Sequence, residues 1–223
     1  MRMADITSSI GKCQWCQSKI YPDTETWSVD EFVFDSSICA RKHKRSTRPS
    51  GALRFFGVGD RYLNCRESHI PKNVHFASVN ELKFNENIFI TGGAGSGKTY
   101  LSVCYIHKVM LNVESIFFRN VTVLLSEIRE GIKRNRENYL INKYSDVDLL
   151  VLDDLGAEKT TEYVIQVLYS ILNVRYEKCR QTVITSNLGS KHLSEFYGDR
   201  MLSRIGSGRV IKLTNEDRRL EKW

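Results

Sequence analysis

The segment Gly92-Gly93-Ala94-Gly95-Ser96-Gly97-Lys98-Thr99 constrains this chain more than any other. It fits G-x-x-x-x-G-K-[ST], follows the apolar stretch 87–91 and opens the helix-compatible stretch 98–110. Small residues between a buried strand and a helix let backbone N–H groups curl around phosphate oxygens, and the helix N-terminus adds a favourable dipole. In such a loop Lys98 reaches the β- and γ-phosphates and the Thr99 hydroxyl coordinates Mg²⁺. The pattern therefore predicts a nucleoside triphosphate site, and it demands a strand–loop–helix unit to carry it.

The sequence around the loop supplies such a frame. Residues 115–119, 147–152, 182–186 and 209–213 read as further strands, and 121–133 and 161–178 as helices with one apolar face. Strands alternating with helices predict an α/β fold with a parallel sheet covered on both faces. The stretch 147–152 is the most apolar strand candidate and ends in Asp153 and Asp154. A carboxylate at that strand end can hold the Mg²⁺ of a bound nucleotide, and its neighbour can orient or deprotonate a water. The strand 182–186 runs into Asn187, whose amide is a candidate contact for the γ-phosphate or that water. Arg200 and Arg204, spaced i and i+4, share one helical face.

Residues 1–75 have a different character, with no long periodic helix evident. Cys13-x-x-Cys16 has the spacing of a zinc half-site, and Cys39-x-x-x-His43 can close a Cys₃His tetrahedron; Cys65 or His69 in place of His43 is the main variant. The gap between the halves contains Trp27 and Phe32-Val33-Phe34 and has room for a hairpin. Cys104 and Cys179 fall in predicted helices and are expected to be core thiols. Reduced cysteines fit the rest of the chain: 223 residues, no apolar run of membrane length and no secretory pattern at the start predict a cytoplasmic protein without a membrane partner. The formal net charge of +7 permits a nucleic-acid partner without demanding one. It is uneven, with basic runs at 41–48 and 133–136.

Taken together, Arg61-Tyr62-Leu63-Asn64-Cys65, the phosphate loop, Leu149-Leu150-Val151-Leu152-Asp153-Asp154, Thr182-Val183-Ile184-Thr185-Ser186-Asn187 and Gly198-Asp199-Arg200-Met201-Leu202-Ser203-Arg204 resemble the DnaC/DnaI/IstB-type AAA+ ATPases, chiefly replicative helicase loaders. The resemblance spans roughly residues 55–215. It implies a five-stranded parallel sheet of order 5-1-4-3-2, with ATP between neighbouring subunits of a self-associating assembly. It implies that the loop from Gly92 to Thr99 and the adjoining Tyr100 hold the nucleotide, with Tyr62 near the adenine and Cys65 a packing residue. It also implies that Lys98, Thr99, Asp153, Asp154 and Asn187 act in cis, and Arg204, with Arg200 as the second choice, in trans. Lys133, Arg134 and Arg136 occupy the place of a helical insertion that faces nucleic acid in the family. The expected organisation is a zinc-binding, partner-docking module over 1–50, a linker and adenine-proximal segment over 51–75, and an ATPase domain over 76–223 without a C-terminal lid. The implied function is ATP-dependent loading of a replicative DNA helicase onto single-stranded DNA, with slow hydrolysis. The alternative is an IstB-like transposition helper on double-stranded DNA. ATP, Mg²⁺ and Zn²⁺ are the expected cofactors.

Overall fold

The computed structural model describes residues 9, 11–21, 25–29, 31–70, 82–83 and 85–213. The chain divides into two compact units, Met1–Phe55 and Phe56–Trp223.

The first unit is built from two short antiparallel hairpins and a helix. Strand β1 (Gly11–Lys12) pairs with β2 (Lys19–Ile20), and β3 (Trp27–Val29) pairs with β4 (Phe32–Phe34), so the room for a hairpin between the cysteine pairs is used. Helix α1 (Ser37–Thr47) follows, its N-terminus capped by the Ser36 hydroxyl, which accepts from the Cys39 N–H at 3.2 Å. The core is small: Cys13, Ile20, Phe34 and Ala40 are buried, flanked by half-buried Trp15, Trp27 and Phe32. Where no long periodic helix is evident from sequence, the structure has two helices, α1 and the shorter α2 (Pro49–Phe56). Only Ala40 of α1 is buried, so the helix carries no apolar stripe for periodicity to detect. The basic run 41–45 lies on it.

The second unit is a five-stranded sheet of β5 (Ile88–Thr91), β6 (Ile116–Asn120), β7 (Leu149–Leu155), β8 (Gln181–Ser186) and β9 (Arg209–Lys212). All four pairings are parallel, in the order β6-β7-β8-β5-β9. Counted from the β9 edge, that order is the expected 5-1-4-3-2. The three inner strands are buried almost throughout while the edge strands are only partly so, and β7 accordingly opens as an unbroken apolar run, Leu149 to Leu152. Helices α3 (Lys98–Val109), α4 (Val121–Lys133), α5 (Glu137–Asp146), α6 (Glu162–Glu177), α7 (Ser190–Tyr197) and α8 (Asp199–Ile205) belong to the same unit. Leu124 and Ile128 of α4, Val164, Leu168 and Ile171 of α6, and Met201 and Ile205 of α8 share one core. Each fully buried Leu or Ile there contributes about 1.5–3 kcal/mol.

Arg175 is the largest of the fully buried side chains among the described residues. Its Nε donates to Thr182 Oγ1 at 2.9 Å and its Nη1 to the carbonyls of Val147 at 2.6 Å and Tyr144 at 3.0 Å, while Nη2 reaches Gln181 O. One guanidinium thus ties the end of α6 to the starts of β7 and β8. Burial, chiefly, pulls its pKa down to about 9, still a cation at neutral pH.

Two further expectations change. Residues 56–70, part of the stretch 51–75 expected as a linker and adenine-proximal segment, belong to the second unit, where the Tyr100 hydroxyl donates to Arg66 O at 2.9 Å and accepts from Arg66 N at 3.1 Å. Residues 71–75 lie outside the described residues. Cys104 is buried as expected, but Cys179 is exposed, in the left-handed turn (φ 52°) that carries α6 into β8. The expected absence of a lid concerns residues after Leu213, also outside the described residues. No helix among the described residues is long and apolar enough to cross a membrane.

Candidate functional site

The carboxyl ends of β5, β6, β7 and β8 gather the polar residues singled out from sequence. Beyond β5 the loop from Gly92 to Gly97 turns twice through left-handed backbone, at Gly95 (φ 73°) and Gly97 (φ 94°), conformations that cost a residue with a Cβ. Gly97 is the N-cap of α3 and offers no side chain, so the first-turn N–H groups of that helix remain open to a ligand. Lys98 is 5% exposed, and its Nζ donates to Gly92 O at 3.0 Å and Gly93 O at 2.7 Å, folding the cation over its own loop. Ser96 Oγ is buried with no hydrogen-bond partner among the described residues, as fits a loop built around a polar ligand.

Thr99 Oγ1 donates to both carboxylate oxygens of Asp153, at 3.0 and 3.1 Å, so the two proposed Mg²⁺ residues from β7 and α3 are in direct contact. Thr185 Oγ1, on buried β8, donates to Asp153 Oδ1 at 2.7 Å and accepts from the Asp154 N–H at 2.9 Å. The β7–β8 register shifts between Leu152 and Leu155, and Asp154 adopts φ 60° there. The irregularity turns the second carboxylate toward the end of β6, where Asn120 Nδ2 lies 3.5 Å from Asp154 Oδ2. Asn120 also caps α4 by accepting from Thr122 N at 3.0 Å. Sequence reasoning missed both Thr185 and Asn120. The signal for Thr185 was a polar residue inside a buried strand, and for Asn120 a polar residue at a strand end just ahead of a helix.

Burial is the main force on Asp153, pushing its carboxyl up to about 6; the nearby Asp154 charge adds to it, and the Thr185 and Thr99 hydroxyls and the Lys98 ammonium oppose it. The folded value lies above the ordinary 3.8. Stability is therefore unaffected below about pH 4 and is lost as pH rises from about 4 through about 6, while the unfolded chain ionises freely. At pH 7 the penalty is on the order of 3 kcal/mol. Asp153→Asn is accordingly expected to raise the melting temperature of the nucleotide-free ATPase unit at pH 7 by roughly 6–12 °C. The same variant should lose the further thermal shift given by Mg²⁺ and ATP. A scanning-fluorimetry comparison checks both, and a fall in nucleotide-free melting temperature would contradict the assignment.

The remaining sequence candidates are placed as follows. Asn187 comes directly after the Thr91–Ser186 register pair, next to the start of the phosphate loop along the sheet, and is exposed. Tyr62 is half-buried in a single 3₁₀ turn (Asp60–Tyr62). The Tyr100 hydroxyl is committed to the Arg66 backbone, so this residue latches the 60–69 segment onto α3. Arg200 is exposed on α8, whereas Arg204 folds onto α6, with its guanidinium carbon 4.4 Å from the Tyr176 ring centroid. Glu158 joins the two regions: it accepts from Gly156 N at 3.0 Å and from the Tyr197 hydroxyl, just ahead of α8. Lys133, Arg134 and Arg136 are all exposed at the α4–α5 turn, and the Arg136 guanidinium lies 4.9 Å over the ring of exposed Tyr139.

In the first unit Cys13, Cys16 and Cys39 come together, and the fourth possible donor beside them is Asp35, in place of the expected His43. One donor atom from each of the four lies within 4.8 Å of the others. Ligands held about 2.3 Å from a tetrahedral metal stand roughly 3.8 Å apart, so three sulfurs and a carboxylate oxygen at this spacing fit Zn²⁺. Cys16 Sγ is 3.1 Å from Asp35 Oδ2, and Trp15 N donates to Cys13 Sγ at 3.4 Å. Burial works against the Cys13 thiolate, yet the N–H groups of Asp35, Cys16 and Trp15 outweigh it and set the thiol below its ordinary pKa. His43 instead packs its ring against Phe32 and Phe34, at 4.8 and 4.9 Å between centroids. Asp35 was missed because it ends the β3–β4 hairpin and reaches the cysteines only through that fold. Cys65, one of the alternatives to His43, is a buried thiol of the second unit, as expected for a packing residue.

Comparison with known proteins agrees with this geometry. The replicative helicase loader DnaC of Buchnera aphidicola subsp. Baizongia pistaciae is 28% identical over 211 residues, covering 88% of this chain and 85% of that protein. A putative ATP-binding protein of insertion sequence IS232 from Bacillus thuringiensis subsp. berliner is 27% identical over 136 residues, 61% of this chain and 54% of that one. Among solved structures, a DnaC helicase loader superposes with a TM-score of 0.61 at 21% identity over 70% of this chain and 99% of its own, and DnaI with 0.61 at 24% over 71% and 96%. These two likenesses carry the fold. Residues 62–216 match the family described as IstB-like ATP binding protein, and the chain belongs to that family.

Proposed function

We propose that the chain is an ATP-dependent loader that binds a hexameric replicative DNA helicase in the cytoplasm and helps place it on single-stranded DNA. The observation that carries the ATPase half is the contact of Thr99 with Asp153 beside the loop that holds Lys98. Support for the loader half is the similarity to DnaC over most of both chains.

Gly92 to Thr99 would hold the phosphates, and Thr99 with Asp153 would hold Mg²⁺. The ion supplies charge neutralisation of the β- and γ-phosphates. Lys98 leaves the carbonyls of Gly92 and Gly93 and donates to phosphate oxygens. Asp154 orients the attacking water and accepts its proton at Oδ2, the atom beside Asn120. Asn187 steadies the γ-phosphate from the next strand. Arg204 of a neighbouring subunit stabilises the developing charge, with Arg200 at the same interface. Asp is shorter than Glu, so Asp154 holds the water less closely and turnover is slow until assembly improves the geometry. Tyr62 lies along the adenine side.

At the α4–α5 turn Lys133, Arg134 and Arg136 contact phosphates without reading bases. On single strands, neutralising three phosphates gives a dependence of log affinity on log salt of about −2. Alanine at all three positions is expected to remove that slope and weaken binding similarly for unrelated sequences. A titration of fluorescent single strands at several salt concentrations measures it, and an unchanged slope places DNA elsewhere.

The first unit holds Zn²⁺ through Cys13, Cys16, Asp35 and Cys39 and docks on the helicase. Co-purification of the chain with the replicative helicase of its own genome tests the partner. A stable complex that depends on residues 1–55 supports the loader reading. Failure to bind helicase together with ATP-dependent binding to double-stranded DNA favours transposition help, the role suggested by the insertion-sequence relative.

A further inference from the structure

An arginine that must meet a neighbour's γ-phosphate has a long, flexible stem, and it works best when its head is already oriented before the subunits meet. Arg204 is held in that manner on its own subunit. Its guanidinium lies over the Tyr176 ring at 4.4 Å, and its Nε donates to Asn173 Oδ1 at 3.2 Å. Asn173 is oriented in turn, because its Nδ2 donates to Glu177 Oε1 at 2.8 Å. One face of the guanidinium and the Nε–H are thereby used. Neither Nη group bonds to a described residue, so the outer fork remains for a ligand from outside the subunit.

The platform itself is rigid. Tyr176 follows the buried Arg175, whose bonds to β7 and β8 fix the last turn of α6. On the other side, Met201 and Ile205 of α8 sit in the core that α6 also lines, which sets the distance from Arg204 to Tyr176. Tyr176 is 44% exposed and contributes little to that core, so its ring under the guanidinium is not explained by burial.

The geometry points to Tyr176 and Asn173 as positioning residues that hold the Arg204 guanidinium ready for the nucleotide of the adjacent subunit. The assignment rests on the proposed trans role of Arg204. It locates a requirement for hydrolysis on the subunit that donates the arginine, on a helix, α6, that carries none of the proposed nucleotide-contacting residues.

Mixed assemblies on single-stranded DNA test it. Lys98→Ala subunits keep an intact Arg204 and can donate it, whereas Arg204→Ala subunits keep an intact nucleotide site. Mixing the two is expected to restore turnover that neither shows alone. With Lys98→Ala/Tyr176→Ala as the donor, the restored kcat should fall about fivefold, the size of a lost exposed cation–π contact. KM for ATP should stay unchanged, and Tyr176→Phe should bring kcat back to within about twofold, since the ring remains. Placing Tyr176→Ala in the nucleotide-holding Arg204→Ala subunit should have no effect. Equal restoration by donors with and without Tyr176 overturns the positioning role and leaves Arg204 in place. No restoration by the plain Lys98→Ala donor overturns the trans arginine itself. Melting temperatures of the variants, expected to match because the ring is exposed, guard against a folding artefact.

Discussion

Lys98→Ala is expected to reduce ATP turnover by a factor on the order of 10²–10³, the usual cost of removing one preorganised electrostatic contact from a transition state. The side chain is nearly buried, and its ammonium spends the resting state on the carbonyls of Gly92 and Gly93. Those two bonds are weak anchors compared with phosphate, so the cation is available to the nucleotide at small cost. Truncation leaves two carbonyls short of a donor at the edge of an open loop, and water replaces it. The fold should therefore survive, with a melting temperature within a few degrees of the parent. Turnover and the binding of a fluorescent ATP analogue, measured on the same preparation, check the prediction. Unchanged turnover would remove the phosphate-loop assignment.

The second large effect concerns the first unit. The core cluster around its cysteines holds four buried residues among the described ones, little apolar surface on which to fold unaided, and a metal worth about 10–16 kcal/mol in small zinc modules would decide its stability. The protein is expected to carry about one Zn²⁺ per chain. Cys13→Ser/Cys16→Ser should carry none and should lose ordered structure in residues 1–55, while the ATPase unit still binds nucleotide. Two single variants separate the candidates for the fourth ligand. Asp35→Ala should weaken zinc retention against a chelator by about tenfold or more. His43→Ala should keep the metal and cost stability through the lost Phe32 and Phe34 contacts. The opposite pattern would restore His43 as the ligand. Elemental analysis with chelator competition gives the answer.

What could be read from sequence was what chemistry writes as spacing. The phosphate loop, the Asp153–Asp154 pair and the helix at 121–133 are each set by local pattern, and the structure has the loop opening a helix, the carboxylates at a strand end and the helix at Val121–Lys133. Features that depend on how distant segments meet were not legible. Asp35 joins the cysteines only once β3 and β4 have paired, and Asn120 reaches Asp154 only through the order β6-β7-β8 and the shifted register after Leu152. Helix α1 escaped because its charged residues face outward on a small module that offers almost no core to pack on. The i, i+4 spacing of Arg200 and Arg204 was visible, but not their different fates. Those follow from α6, where Tyr176 and Asn173 lie within reach of one arginine and not the other.

The central claim is that nucleotide binding at this site is coupled to helicase placement, and one measurement addresses it directly. The replicative helicase from the same genome, fluorescently labelled, is mixed with the chain, ATP and Mg²⁺ on circular single-stranded DNA coated with single-strand binding protein, and helicase retained on the circles is counted. The account predicts retention that requires the chain and ATP, and that Lys98→Ala and the zinc-site double variant both abolish. Retention that is the same without the chain, or with Lys98→Ala in its place, would contradict it.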